Sequence, residues 1–177
     1  MQRWFDRKFE PLNTNLSFEG IMERLADTPL RLSHKIHHID PAHWTLSPEG
    51  AWSIQEQVGH LLDLEPLWLG RVQDFKAGQE TLRPADLSNR KTHDAGHNDT
   101  AMTLLLDEFG LQRKELVKAF LSLSPEERER TALHPRLRTP MLPVDLAYFV
   151  AEHDDHHLAS ITRLADDHRN STPQNTH

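Results

Sequence analysis

Apolar residues recur at three- and four-residue spacings along four stretches of the chain, a pattern that places them on one face of an α-helix. The first stretch covers about residues 17–36, and Pro29 within it predicts a break or a kink. The second begins at Ser53, which together with Glu56 forms the sequence pattern of a capping box, and it ends before Gly78. Both stretches are long enough to span a small bundle.

The third stretch covers about residues 99–121, and the fourth begins at Pro143 and keeps its period as far as Leu164. Long polar connections containing proline or glycine separate the four stretches; they cover residues 38–52, 79–98 and 133–143. The pattern therefore predicts an all-α fold, a four-helix bundle with long interhelical connections. We expect one domain over residues 1–168 and a disordered polar tail over residues 169–177.

Composition narrows the classes of function. Hydrophobic residues make up 37% of the chain, enough to bury a core, and the formal net charge is -7. Because no basic block occurs, we expect no nucleic acid as a partner. No apolar run approaches the roughly 18 residues of a membrane span, and charges follow the first residues where a signal peptide would be apolar. We expect a cytoplasmic protein that does not contact a membrane.

Two histidines of the fourth stretch, His153 and His157, are spaced by four residues. On a helix such residues lie about 5–6 Å apart, so two imidazoles can bind one metal ion. Their position on the apolar stripe strengthens this hypothesis, because unpaired buried polar groups cost about 1–3 kcal/mol each. The chain has no cysteine, so any metal must be held by histidine and carboxylate ligands. The neighbouring His156 points to the flank, and we interpret it as a bystander.

A third ligand is expected from a facing helix, and His60 on the second predicted helix fits that role. His93 and His97 are poorer candidates because they lie in an irregular connection. Three further histidines at the end of the first helix are expected to be solvated: His34, His37 and His38. An alternative is that the three selected histidines are core residues bonded to carbonyl groups.

The residues at these positions match the motifs of a known family. The segments are Trp-Ser-Ile-Gln-Glu at 52–56, His-Leu-Leu-Asp at 60–63, Ala-Glu-His at 151–153 and His-Leu at 157–158. Over about residues 18–164 the chain resembles the DinB-like (YfiT-like) metalloproteins. The resemblance implies a four-helix bundle in which His60, His153 and His157 bind one divalent cation, such as zinc, nickel, iron or manganese. It also implies a homodimer, a small-molecule substrate and, for some relatives, a low-molecular-weight thiol as cosubstrate.

Three neutral imidazoles leave the positive charge of a cation uncompensated and at least one coordination position open. Such a site lowers the pKa of bound water, to about 7 in the best-studied zinc case, and it can also bind a thiolate. The sequence therefore favours a metal-dependent hydrolase or thiol S-transferase acting on a small electrophile. The alternative is a non-catalytic metal-binding protein, stress-related or structural, that forms a dimer.

Two charged residues of the second helix are further candidates. Asp63 lies one turn beyond His60 and is a candidate catalytic residue, either orienting a ligand or acting as a general base, although a solvated or helix-pairing carboxylate is the simpler interpretation. Arg71 continues the His60 face and is a candidate for binding a substrate carboxylate, with an exposed surface arginine as the simpler interpretation. Pro66 predicts a kink between them.

Overall fold

Four long α-helices dominate the computed structural model, which describes residues 3–47 and 50–171. They are α1 (Phe18–His37), α2 (Ile54–Lys76), α4 (Met102–Leu121) and α6 (Pro143–Ser171). Two short helices, α3 (Arg90–Asp94) and α5 (Pro125–Arg128), and a two-stranded antiparallel hairpin, β1 (Ala132–Leu133) and β2 (Pro140–Met141), lie in the connections. Short 3₁₀ turns cover Trp4–Asp6, Asn15–Ser17, Pro41–His43 and His97–Asp99. The predicted all-α four-helix bundle is confirmed.

The helix ends follow the sequence signals. Ser53 and Glu56 form the predicted capping box at the start of α2, and Gly78, with φ of +68°, follows its last turn. α1 continues through Pro29 to His37, so the predicted break is wrong, and the alternative of a kink at Pro29 stays a prediction. Pro66 likewise lies inside a continuous α2, where its ring is exposed.

The final helix is longer than predicted. α6 ends at Ser171, so Arg169 and Asn170 are helical although we expected the disordered tail to begin at residue 169. The rest of that segment, residues 172–177, lies outside the described residues, as does Pro48 of the predicted loop at 38–52. Among the described residues, no helix is long and apolar enough to cross a membrane.

The four long helices form a closed square in which α2 and α4 are neighbours, whereas α1 and α2, and likewise α4 and α6, lie at diagonal corners. α1 packs chiefly against α4 and α6, and α2 packs chiefly against the same two helices. The connections from α1 to α2 and from α4 to α6 therefore carry the chain between diagonal corners, which a short turn cannot do, while the connection from α2 to α4 joins adjacent helices.

A polar layer crosses the middle of the bundle and separates two apolar clusters. Leu25 of α1, Val72 of α2 and Val150 of α6 belong to one cluster. The other cluster lies on the opposite side of the polar layer and contains Leu32 of α1 and Leu61 of α2. The buried polar side chains of α2, α4 and α6 lie between the two: His60, Glu65, Arg113, His153, Asp154 and His157.

Arg113 binds both carboxylates of this layer. Its Nη2 donates to Glu65 Oε1 at 2.6 Å and its Nη1 donates to Asp154, while all three side chains are 1% exposed. Burial raises the pKa of Glu65, and the Arg113 guanidinium opposes that shift. Removing one partner from such a buried set costs about 3–5 kcal/mol, because it leaves an uncompensated charge. The layer therefore joins α2, α4 and α6 at a fixed register.

The hairpin carries one wall of the candidate site. Leu133 N donates to Glu80 O at 2.8 Å and Leu82 N donates to Leu133 O at 3.0 Å, so the hairpin is joined to the segment that follows α2. His134 and Arg136 lie in the turn between β1 and β2. This pairing, which the helical pattern did not predict, brings the turn against α2.

Candidate metal centre and its cavity

Three histidines from two facing helices meet in the polar layer. His60 comes from α2, while His153 and His157 come from successive turns of α6, and each is at most 6% exposed. One ring nitrogen from each residue lies within 4.8 Å of the others. The Nε2 atoms of His153 and His157 are 3.2 Å apart. The structure thus brings together the three histidines selected from the sequence.

Hydrogen bonds fix which nitrogen of two rings is available. Gln57 Oε1 lies 2.6 Å from His157 Nδ1, and because a carbonyl oxygen only accepts, Nδ1 carries the hydrogen. Thr92 Oγ1 donates to Asp63 Oδ2 at 2.9 Å, so its oxygen accepts from His60 Nδ1 at 3.0 Å. Both rings therefore keep a lone pair on Nε2, the state in which imidazole binds a metal.

The three rings are neutral over a wide pH range. Burial lowers the pKa of His60 to about 4, with His97 and His93 adding to the shift. Burial also holds the pKa of His153 and of His157 well below the usual range, and the neighbouring His60 and His156 lower both values further. At neutral pH the three imidazoles are therefore uncharged, and each has a lone pair that can bind a cation.

The donor set fits a divalent metal. Two nitrogens bound at about 2.0–2.1 Å to a tetrahedral cation lie roughly 3.3 Å apart, and the His153 and His157 Nε2 atoms are at 3.2 Å. Trp4 and Trp68 hold the His153 ring by edge contacts, with centroids 5.0 and 5.7 Å away. His153 Nδ1 has no hydrogen-bond partner among the described residues, so ring packing alone orients this ligand.

Asp63 supports the cluster from behind. Its side chain is only 6% exposed, so the interpretation as a solvated carboxylate is wrong. Oδ2 accepts from Thr92 Oγ1 and lies 2.8 Å from His97 Nε2, while Lys91 Nζ is 3.3 Å from Oδ1. The residue does not line the cavity in front of the histidines. The geometry suits orientation of His60 through Thr92 and does not suit direct proton transfer to a substrate.

The His97 ring reaches Asp63 by lying against a glycine of α2. A Cβ atom at Gly59 would be 2.2 Å from Cγ of His97, so no larger residue fits there without displacing the ring. Gln55 Nε2 donates to the backbone oxygens of His97 and Thr100 at 2.6 and 2.7 Å and holds that segment in place. His97 is therefore a buried supporting residue, whereas His93 is exposed and near Trp52.

A cavity of about 380 Å³ opens in front of the three histidines. Its walls are largely aromatic: Trp4, Phe5, Trp52, Trp68 and Phe149. His156, on the flank of α6, also lines it, and we assign no ligand role to that residue. The size and the apolar walls are typical of a site for a small organic molecule.

Arg71 lies in this cavity wall and is 1% exposed, so its interpretation as a surface arginine is wrong. Its Nε donates to Arg83 O at 3.0 Å, and its guanidinium packs 5.3 Å from the Trp68 ring. Burial lowers the pKa of Arg71 to about 10, which still leaves it cationic at neutral pH. The structure therefore places it where a substrate could reach it.

Several residues of the site escaped the sequence analysis: Gln57, Thr92, His134 and Arg136. Gln57 lies one turn before His60 and could have been found by asking what pairs with each imidazole. The other three belong to irregular connections, and the helical period carries no information about where a connection packs.

Comparison with known proteins defines the relationships of the chain. In sequence, the family model described as the DinB superfamily matches residues 11–161. A search of curated proteins finds no significant match. In structure, YfiT from Bacillus subtilis, described as a probable metal-dependent hydrolase with an unusual four-helix bundle topology, superposes with a TM-score of 0.73. The two are 18% identical, over 92% of this chain and 94% of that one.

A second structural neighbour is a mycothiol-dependent maleylpyruvate isomerase, with a TM-score of 0.68 and 14% identity over 86% of this chain and 63% of the isomerase. A histidine-to-alanine variant of an isomerase of the same description gives 0.67 and 12%. At these identities the superpositions show a shared fold. The sequence match, which spans most of the chain, shows more: this protein belongs to the DinB superfamily.

Proposed function

We propose that the protein is a metal-dependent enzyme in which His60, His153 and His157 bind one divalent cation. The observation that carries the proposal is the convergence of three buried, neutral imidazoles, with ligand atoms within 4.8 Å of one another, on an aromatic-walled cavity. A structural site would use four protein ligands, whereas three leave a position open towards the cavity.

The proposed reaction is hydrolysis or thiol transfer on a small electrophile. A cation with an open position activates water or a thiol at neutral pH. The descriptions of two structural neighbours, a probable metal-dependent hydrolase and a mycothiol-dependent isomerase, support these two reaction classes and a low-molecular-weight thiol as a candidate cosubstrate. Zinc, nickel, iron and manganese all stay candidates for the metal, and the homodimer stays a prediction.

The chain's own residues have distinct roles in this proposal. Gln57 and Thr92 hold two of the rings in the tautomer that offers Nε2, and Asp63 acts through Thr92 as a positioning residue. Trp52 and Trp68 cover the apolar part of the cavity and exclude water from it. Arg71 binds the substrate at the far side of Trp68.

Metal content tests the site. His60→Ala and His153→Ala are each expected to lose tight binding of a divalent cation, measured as metal per chain after dialysis and by titration with zinc. His93→Ala is the control for an exposed histidine, and His134→Asn is the control for a buried histidine of the same cavity that lies outside the cluster. Both variants should keep stoichiometric metal. Stoichiometric metal in the His153 variant would contradict the assignment.

Activity separates the catalytic proposal from the non-catalytic alternative. Metal-loaded and metal-stripped protein should be assayed for ester and amide hydrolysis and for conjugation of thiols to small electrophiles. We expect activity only in the loaded form, restored when metal is returned. Activity that survives removal of the metal would contradict the proposal. A protein that binds metal tightly and lacks every activity would favour the metal-binding structural role.

A further inference from the structure

Two arginines in the cavity wall have no carboxylate partner among the described residues. Arg71 comes from α2 and Arg136 from the turn between β1 and β2. Most other arginines near the site are paired, since Arg7 and Arg24 bind Glu152 and Arg83 binds Asp74. Arg71 is 1% exposed and Arg136 is half-buried. A cation removed from water without a counter-ion is costly, so Arg71 in particular needs a separate explanation.

The nearest carboxylate to Arg71 along its helix is already in use. Asp74 accepts from Arg83 Nη2 at 2.7 Å and from the Arg83 backbone N–H at 2.8 Å. Arg71 Nε donates to the backbone oxygen of Arg83, and Arg71 Nη1 lies 3.1 Å from His134 Nε2. Its guanidinium therefore lies in the wall with donor capacity to spare.

His134 also places a hydrogen-bond donor beside Arg71. The backbone N–H of Leu137 donates to His134 Nδ1 at 3.2 Å, so the neutral ring carries its hydrogen on Nε2. Burial and the nearby Arg71 lower the pKa of His134 to about 3, which keeps the ring neutral. His134 Nε2 then lies 3.1 Å from Arg71 Nη1, and two N–H donors face each other. An oxygen atom that accepts from both would relieve this arrangement.

Arg136 supplies a second positive charge from the same turn as His134. Its guanidinium lies 5.2 Å from the Phe5 ring and 6.0 Å from the Phe149 ring, and burial lowers its pKa. Among the described residues, Asp86 is the one carboxylate that lines the cavity; it is exposed and accepts from the backbone N–H groups of Ser88 and Arg90. This wall therefore carries positive charge in a cavity whose remaining lining is mainly apolar apart from its histidines.

We propose that Arg71, His134 and Arg136 form a binding site for the carboxylate of the substrate, which makes that substrate a small organic acid with an apolar body. This inference rests on the proposed function, because it takes the three-histidine cluster as the reacting end of the cavity. Planar guanidinium groups bind carboxylates with paired hydrogen bonds, and a neutral imidazole N–H adds a third donor.

Trp68 contacts both the three-histidine cluster and the proposed anion site. Its ring lies 5.7 Å from the His153 ring and 5.3 Å from the Arg71 guanidinium, so it lies between the cluster and the anion site. A molecule whose carboxylate binds Arg71 therefore passes its apolar part along Trp68 and presents its other end to the histidines. Molecules without a carboxylate would lose that anchor.

A pair of matched probes tests the inference: phenylacetate and its neutral isostere phenylacetamide. Binding is measured by calorimetry and by quenching of tryptophan fluorescence, with metal-loaded and metal-stripped protein. We expect phenylacetate to bind at least tenfold more tightly than phenylacetamide in both forms, a difference of about 1.4 kcal/mol. Arg136→Gln should remove that preference and leave phenylacetamide binding unchanged. Arg138→Gln, an exposed arginine two residues away, should keep it.

The metal-stripped arm separates this inference from the proposed function. A phenylacetate preference that vanishes with the metal and ignores Arg136→Gln would mean that the carboxylate binds the cation, which overturns the anion site. Tighter binding of inorganic phosphate than of phenylacetate would overturn the assignment to a carboxylate. If Arg136→Gln weakens phenylacetate while His153→Ala still binds metal, the anion site stands and the proposed metal centre fails.

Discussion

Thr92 is a small side chain on which the orientation of a ligand depends. Its hydroxyl accepts from His60 Nδ1 and donates to Asp63 Oδ2, so it links the imidazole to a buried carboxylate. Partners of this kind fix the tautomer and raise the basicity of a ligand, and their loss costs about 10–100-fold in metal affinity.

Thr92→Val keeps the shape of the side chain and removes the hydroxyl. We expect metal affinity to fall by about 10–100-fold, measured by competition with a chelator, because His60 is then free to adopt the wrong tautomer. Thr92→Ser restores the hydroxyl and should bind within a few-fold of the parent. Equal affinity in the valine variant would contradict the relay from Asp63 to His60.

At the scale of single residues, the sequence identifies the three clustered histidines better than it identifies the residues that support them. His153 and His157 are recognisable because helical spacing fixes their relative direction, and the capped start of α2 does the same for His60. Thr92 and His134 lie in connections, where position depends on tertiary contacts such as the pairing of Leu133 with the segment after α2. Arg113 is not distinguishable from a surface arginine, because its burial depends on carboxylates from two other helices.

Among the elements, α2 carries the largest share of the site and is shaped by what packs on it. Gly59 lies in its interior, where glycine normally weakens a helix by about 0.5–1 kcal/mol relative to alanine. Here the His97 ring occupies the space that a Cβ would fill. The local cost to the helix is therefore offset by the approach of the connection that supports Asp63.

Gly59→Ala should reverse the usual sign of a glycine-to-alanine change in a helix. We expect the free energy of unfolding to fall by about 1–3 kcal/mol, as for other overpacked sites, with weaker metal binding as His97 is displaced. Gly20→Ala in α1, where nothing lies within 4 Å of the added atom, is the control and should stabilise by about 0.5–1 kcal/mol. Urea denaturation measures both, and stabilisation by Gly59→Ala would contradict the packing described for His97.

Across the whole molecule, the polar layer determines what the bundle can tolerate. A bundle with one continuous apolar core would allow adjacent helices to slide by a turn, whereas Arg113 bound to Glu65 and Asp154 fixes the register of α2 and α6. The same register brings His60 opposite His153 and His157. Stability and site geometry therefore depend on one layer of charged and ionisable groups, and stability should vary with pH.

His134 is the most suitable residue for measuring how stability varies with pH, because it lies outside the three-histidine cluster. The pKa of His134 falls from about 6.5 in the unfolded chain to about 3 in the folded protein, because of burial first and of Arg71 and Arg136 next. Between these values the unfolded chain binds more protons than the folded one. The contribution of His134 to stability is therefore complete above about pH 6.5 and is lost progressively as the pH falls towards 3.

His134→Asn removes the titrating ring and keeps an oxygen that can accept from Leu137 N–H. In metal-stripped protein we expect the parent to lose stability more steeply than this variant between pH 7 and pH 4.5, as measured by urea denaturation at several pH values. The difference between the slopes of the two stability curves should vanish above about pH 7, where His134 is neutral in both the folded and the unfolded state. His60, whose pKa is about 4, titrates in both proteins and leaves a residual slope in the variant. Parallel curves for the two proteins would mean that the pKa of His134 is the same in the folded and unfolded states, which would contradict the buried neutral ring described here.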